Sequence, residues 1–271
     1  MFHLTLPALL AFASLAWAQG RVPAGVQVEE VVDGKGKTKI LFIAGTSVYK
    51  PGEHDYIPDC VELMQSVRKN RDVVPVLALD WPAKAESWAD LAAVVFLFDG
   101  ADKHQAITRG RAEQIDALVA KGVGLVQLHQ TADYPDRFTD KAITWAGGAW
   151  KKAQGKRAHW VETFREFPAH PVFNGVGPFT IDDGWLWNIR FAEGMKGVTP
   201  LLRTVNPKSK DDPKADAAIV AWAFERPAGG KSFTFTGGHL HKSLEDANYR
   251  RFLTNGILWS AGREIPPKGV E

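Results

Sequence analysis

The chain has 271 residues, is 45% hydrophobic and 24% charged, and carries a formal net charge of +2. That composition supports one large α/β domain, or one domain with a small insert. It argues against nucleic acid as a partner, because phosphate binding needs clustered Lys and Arg. The pairs Lys151-Lys152 and Lys156-Arg157 read as a solvated loop. The single cysteine, Cys60, excludes a disulfide framework and a cysteine zinc site within one chain. Its neighbours have helical spacing, which makes it a small core residue.

The chain opens on an apolar run from Leu4 to Trp17, interrupted by Pro7 and Ser14 and ending in Ala16-Trp17-Ala18. The run is too short for a stable membrane span, and its end is an A-x-A cleavage pattern. Residues 1–18 therefore read as a signal peptide and residues 19–38 as the leader of a periplasmic or secreted mature chain. One domain is expected over residues 39–266.

Lys39 to Gly45 is a short apolar run ending in glycine, a strand buried on both faces. A helix is predicted from Pro58 to Asn70, with Val61, Met64 and Val67 on one face. A strand follows from Val73 to Leu79, then a short helix from Trp88 to Ala92 and a strand from Ala93 to Phe98. A helix from Thr108 to Lys121 stops at Gly122, and a fourth strand runs from Gly124 to Leu128. Residues 131–190, rich in Trp, Gly and Pro, read as an irregular insertion with short strands at His159–Phe164 and Phe179–Ile181. Strands at Gly197–Val205, Ala218–Glu225 and Ser232–Thr236 and a helix at Asp246–Ala261 complete the chain. Alternating strands and helices imply a mostly parallel sheet with helices on both faces, and a ligand site at the carboxyl ends of its strands.

The histidines gather on that edge. His54 follows the first strand, Asp99 and His104 the third, and His129 the fourth; His239 and His241 follow the Ser232–Thr236 strand. A lone loop histidine is usually a satisfied surface residue, and His170 before Pro171 reads as a turn former. Several on one edge point to acid–base work or to a divalent metal ion. Asp182 and Asp183 could orient a histidine, bind metal, or only cap a turn at Gly184. A P-loop, a G-x-S-x-G elbow and a G-x-G-x-x-G after the first strand are all missing.

An ordered set of strings then makes the chain resemble the ThuA-like, or trehalose-utilisation, family. They are Phe-Ile-Ala-Gly (42–45), Gly-Glu-His (52–54), Gly-Val-Gly-Leu-Val-Gln-Leu-His (122–129), Trp-Ala-Gly-Gly (145–148) and Ala-His-Trp (158–160). His-Pro-Val (170–172), Ile-Asp-Asp (181–183), Val-Ala-Trp-Ala-Phe-Glu-Arg-Pro (220–227), Thr-Gly-Gly-His-Leu-His (236–241) and Asn-Gly-Ile-Leu-Trp (255–259) complete it. The resemblance implies a flavodoxin-like sheet of the class I glutamine amidotransferase type. It also implies a histidine, His129, where amidotransferases carry a nucleophilic cysteine, so glutamine hydrolysis is not expected. Two positions depart from the family pattern: Gly184, where an acidic residue is common, and Tyr56, where a second histidine is.

The resulting expectation is an exported enzyme acting on a carbohydrate, a 3-keto sugar or disaccharide, as a lyase, hydrolase or isomerase. His129 is expected as the base, supported by Asp183 or His159. His239 and His241 are expected to bind substrate or a divalent metal; His54, Asp99 and Arg190 to hold hydroxyls; and Trp187 or Trp222 to stack on a sugar ring. A non-catalytic sugar-binding module and a metal-dependent hydrolase are the alternatives, and the oligomeric state is left open.

Overall fold

A computed structural model describes residues 22–30, 36–108, 110–209 and 215–270. The expected signal peptide, residues 1–18, lies outside them, and of the expected leader residues 22–30 and 36–38 lie within. In chain order the principal elements are β1 (Thr38–Ala44), α1 (Tyr56–Arg68), β2 (Val73–Leu79), α2 (Ala85–Trp88), β3 (Leu91–Leu97), α3 (Arg111–Ala120) and β4 (Gly124–Leu128). Then come α4 (Thr139–Ala146), β5 (Gly148–Ala149), β6 (Lys156–Phe164), β7 (Phe179–Trp187), β8 (Arg190–Phe191), β9 (Val198–Arg203), β10 (Ile219–Glu225), β11 (Lys231–Phe235) and α5 (Ala247–Ser260).

Seven strands form one sheet in the order β2-β1-β3-β4-β11-β10-β9. From β2 to β11 every pairing is parallel; β10 and β9 extend the sheet antiparallel. This is the mostly parallel, doubly wound α/β arrangement expected, with the flavodoxin-like strand order in its parallel part. Alternation along β1 shows why both faces must be covered. Ile40, Phe42 and Ala44 join the core with α1 and α5, whereas Leu41 and Ile43 join the core with α3 and α4. Among the described residues no helix is long and apolar enough to cross a membrane.

The elements depart from expectation in two places. Leu91 and Ala92 belong to β3 and the short helix lies earlier, at Ala85–Trp88. The supposedly irregular insertion holds α4 and a long antiparallel hairpin in which β6 and β7 pair from Lys156↔Trp187 to Phe164↔Phe179. Asp182, Asp183 and Gly184 sit inside this hairpin, opposite Val161, Trp160 and His159, and are not a turn cap. Low strand propensity is overridden because Trp160, Phe164, Phe179, Ile181 and Trp185 bury one face of the hairpin in the main core.

A three-histidine centre at the strand ends

Parallel pairing of β1, β3, β4 and β11 brings the loops after these strands to one edge. His54 and His129 are almost wholly buried there, at 3% and 4% exposure, and His239 is half-buried. The ring centroids of His54 and His129 lie 4.8 Å apart, those of His54 and His239 4.4 Å, and those of His129 and His239 5.4 Å. Each offers one ring nitrogen, and the three nitrogens all lie within 4.8 Å of one another. Among the described residues this is the one such group able to hold a metal ion.

Backbone geometry aims these side chains. His129 leaves β4 at φ 55° and His54 sits at φ 52°, both in the left-handed region that non-glycine residues seldom occupy. Each such residue costs on the order of 1–2 kcal/mol, which the surrounding hydrogen bonds must offset. The two loops clasp: His54 N–H donates to the His239 carbonyl at 2.9 Å, and His241 N–H to the Gly52 carbonyl at 3.0 Å. Asp183, fully buried, completes the clasp. Its carboxylate accepts from Gly184 N–H at 2.7 Å and from Gly238 and His239 N–H at 2.8 Å each.

Hydrogen bonds also decide the tautomers. His129 Nδ1 lies 3.0 Å from the Thr236 carbonyl, which can only accept, so Nδ1 carries the proton and Nε2 an unshared pair. Tyr56 donates its hydroxyl proton to Asp99 at 2.8 Å and therefore accepts from His54 Nδ1 at 3.0 Å. His54 Nε2 is then an acceptor, 2.8 Å from His239 Nδ1, which must donate. A relay results, from His239 through His54 and Tyr56 to Asp99. Burial holds the His54 imidazole down at about 3, with the neighbouring His239 adding to the effect. Burial holds His129 well below the usual range, followed by the influence of His54, and burial likewise lowers His239. All three are neutral at physiological pH. Burial pushes Asp183 the other way, to about 7, against its three N–H donors.

His159 stands at the rim, 5.4 Å from His239 between ring centroids, with Nε2 3.5 Å from Asp182; the two side chains are 44% and 41% exposed. On the other side, Asp99 also lines a polar groove of about 520 Å³ with Thr46, Asp80, Lys103 and Arg111, at the β1/β3 end of the sheet. A second cavity, of about 480 Å³, opens at the opposite edge near Lys121 and Gly230 and is lined by no histidine.

Of the expected site residues, the structure gathers His54, His129, His239, His159, Asp183 and Asp99 at this edge. His241 is there, but its Nδ1 is committed to the buried Asp59 at 2.5 Å. Trp222 is fully buried, with Nε1–H donated to the Ala146 carbonyl at 2.7 Å, so it cannot stack on a sugar. Arg190 belongs to β8 and pairs with Asp140 at 2.7 Å. Trp187 is half-buried and edge-on to Trp160 at 5.2 Å, with no described contact to the histidines. His104 turns inward, fully buried, onto Tyr134 and the Thr131 carbonyl, and His170 accepts from Val172 N–H in a turn. Two residues went unread in the sequence: Tyr49, stacked on His54 at 4.0 Å, and Tyr56 as a relay member. Tyr56 lies two residues from His54, and that proximity was the available signal.

Fold and site together describe an α/β protein of the flavodoxin-like type with a histidine centre at its strand ends. The chain belongs to the ThuA family, described by trehalose utilisation, which matches residues 39–260. A protein described as ThuA-like from Parabacteroides merdae superposes with a TM-score of 0.59 at 14% identity, over 85% of this chain and 92% of that one. Another from Bacteroides uniformis gives 0.56 at 15% identity, over 84% and 92%. At this identity the two structures share the fold. No curated protein matches the chain.

Proposed function

We propose that the chain is an exported carbohydrate-processing enzyme that works by imidazole proton transfer on a sugar bearing a ketone. The observation that carries this reading is the meeting of His54, His129 and His239, from three loops far apart in sequence, beside the His159–Asp182 pair. The family description supports a carbohydrate substrate. The polar groove at Asp99 supports binding of hydroxyl groups.

The roles divide by exposure. A ketone acidifies the C–H beside it, and a base that removes that proton must exchange it with solvent between turnovers. His159 is half-exposed, with the Asp182 carboxylate 3.5 Å from its Nε2, and is the proton carrier in this proposal. This moves the role from His129, whose ring is buried and whose Nδ1 proton is tied to Thr236. The inner three imidazoles hold the keto end, and Asp99 and the groove hold hydroxyls. Lyase, hydrolase and isomerase outcomes share this first proton transfer. Export through residues 1–18 belongs to the same proposal; sequencing the amino terminus of secreted protein checks it, and an intact Met1 sinks it.

The test is a panel of oxidised and unoxidised disaccharides in D₂O, followed by NMR and mass spectrometry. Keto-disaccharides should exchange deuterium at the carbon beside the ketone and be converted, and unoxidised ones should not. His159→Ala should lower kcat by about 10²- to 10⁴-fold with little change in KM. Sugars that bind yet remain unaltered and unexchanged would refute the enzyme and leave a sugar-binding module.

A further inference from the structure

We infer that His54, His129 and His239 form a divalent-metal centre of the open, catalytic type, with zinc as its cation. The inference rests on the proposed function only for what the cation does, not for whether it binds.

The first argument is charge. Among the described contacts no carboxylate reaches a ring nitrogen of the three; Asp99 acts only through Tyr56. The Nε2 electron pairs of His54 and His129 thus face one small buried region, and His239 Nδ1 joins them as a third once its proton moves to Nε2. A single N–H, from His239 Nδ1, satisfies one of those pairs, on His54 Nε2. The His129 Nε2 pair has no described donor. An acid–base relay does not need this convergence, and a cation does.

The second argument is geometry. Zinc–nitrogen bonds of about 2.0–2.1 Å set tetrahedral ligand nitrogens about 3.4 Å apart. The three nitrogens lie within 4.8 Å of one another, with His54 Nε2 and His239 Nδ1 at 2.8 Å. Small ring rotations open the short gap and close the wider ones.

The third argument is the support behind the ligands. Metal-bound imidazoles usually donate their other N–H to a carbonyl or a carboxylate, which fixes ring orientation. His129 does so to Thr236, and His54 does so to Tyr56 backed by Asp99. His239 is held through its main chain by Asp183 and by His54. Three imidazole ligands suit zinc, and a fourth position left for substrate defines a catalytic site. His159 and Asp182 lie at the rim beside His239. A cation in the centre would polarise the sugar ketone as a Lewis acid while His159 takes the proton.

The experiment is titration of full-length mature protein, stripped with a chelator, with Zn²⁺ by calorimetry and with Co²⁺ by visible absorption. One equivalent should bind, with the visible bands of a low-symmetry nitrogen site. His54→Ala, His129→Ala and His239→Ala should each weaken Zn²⁺ by at least about 100-fold, since even a supporting residue is worth 10–100-fold. His159→Ala and His170→Ala should leave it unchanged. Should the ligand variants fail to fold, Tyr56→Phe, which keeps the ring and removes the relay hydroxyl, should weaken Zn²⁺ by about 10-fold. Folded wild type that takes up no stoichiometric metal would overturn the inference, as would Zn²⁺ affinity indifferent to both the ligand variants and Tyr56→Phe. No sugar enters this titration, so its failure leaves the carbohydrate reading standing, and an unreactive sugar panel leaves the metal centre standing.

Discussion

His241→Ala tests whether the second histidine of the His-x-His string serves the substrate or the fold. Its Nδ1 lies 2.5 Å from Asp59 Oδ1, with side chains 26% and 6% exposed. Among the described contacts this is the only side-chain hydrogen bond of Asp59. Truncation strands a buried carboxylate, and breaking such a pair typically costs about 3–5 kcal/mol. The protein can escape by protonating Asp59, which burial already pushes up to about 6. From an ordinary value of 3.8, a folded value of about 6 already costs the intact protein about 3 kcal/mol at pH 7 and about 2 kcal/mol at pH 5, so full protonation adds about 1 kcal/mol at pH 7 and almost nothing at pH 5. The sign follows from a folded value raised above the unfolded one: stability is full below pH 4 and is lost as pH rises. His241→Ala should therefore lose the charge-assisted hydrogen bond, about 2 kcal/mol, at both pH values and about 1 kcal/mol more at pH 7, a total of about 3 kcal/mol or roughly 8 °C in Tm there. Urea unfolding at the two pH values measures it. Asp59→Asn with His241→Ala should remove the pH dependence, and turnover per folded molecule should persist. A loss below about 1 kcal/mol at pH 7, or one equal at both pH values, refutes the reasoning.

Three further outcomes follow from the same geometry. Trp222→Phe should cost about 2–3 kcal/mol in chemical denaturation, because it leaves the Ala146 carbonyl unpaired and a void behind, yet leave KM for sugar unchanged. Gly184→Ala places a Cβ 3.1–3.4 Å from His239 side-chain atoms; it should lower kcat by about 10-fold or more while Tm barely moves. Asp183 has a folded value of about 7 against an ordinary 3.8, so it stabilises below pH 4 and loses that contribution as pH rises to 7. Asp183→Asn should flatten this part of the stability–pH curve, measured by thermal melts from pH 4 to 8.

Strands buried on both faces announce themselves as continuous apolar runs, and β1, β2, β3 and β4 were legible for that reason. The β6–β7 hairpin was half legible. His159–Phe164 has the alternation, but Asp182-Asp183-Gly184 reads as a turn until Asp183 is seen accepting three N–H groups from its own chain and the loop after β11. Trp222 was misjudged for one reason. Residue type says that an aromatic can meet a sugar, but not whether Ala146 already holds it.

Composition and pattern alone determined the α/β class, the parallel run of strands and the placing of His54, Asp99, His129 and His239 after strand ends, because alternation and apolar length are local properties. Only the tertiary structure decided which histidines meet. His104 and His241 also follow those strands, yet one packs on Tyr134 and the other pairs with Asp59. Contact among His54, His129 and His239 depends on two left-handed residues, on loops clasped through Asp183 and on carbonyls more than a hundred positions away in the chain. Those are long-range constraints, and no window of sequence contains them.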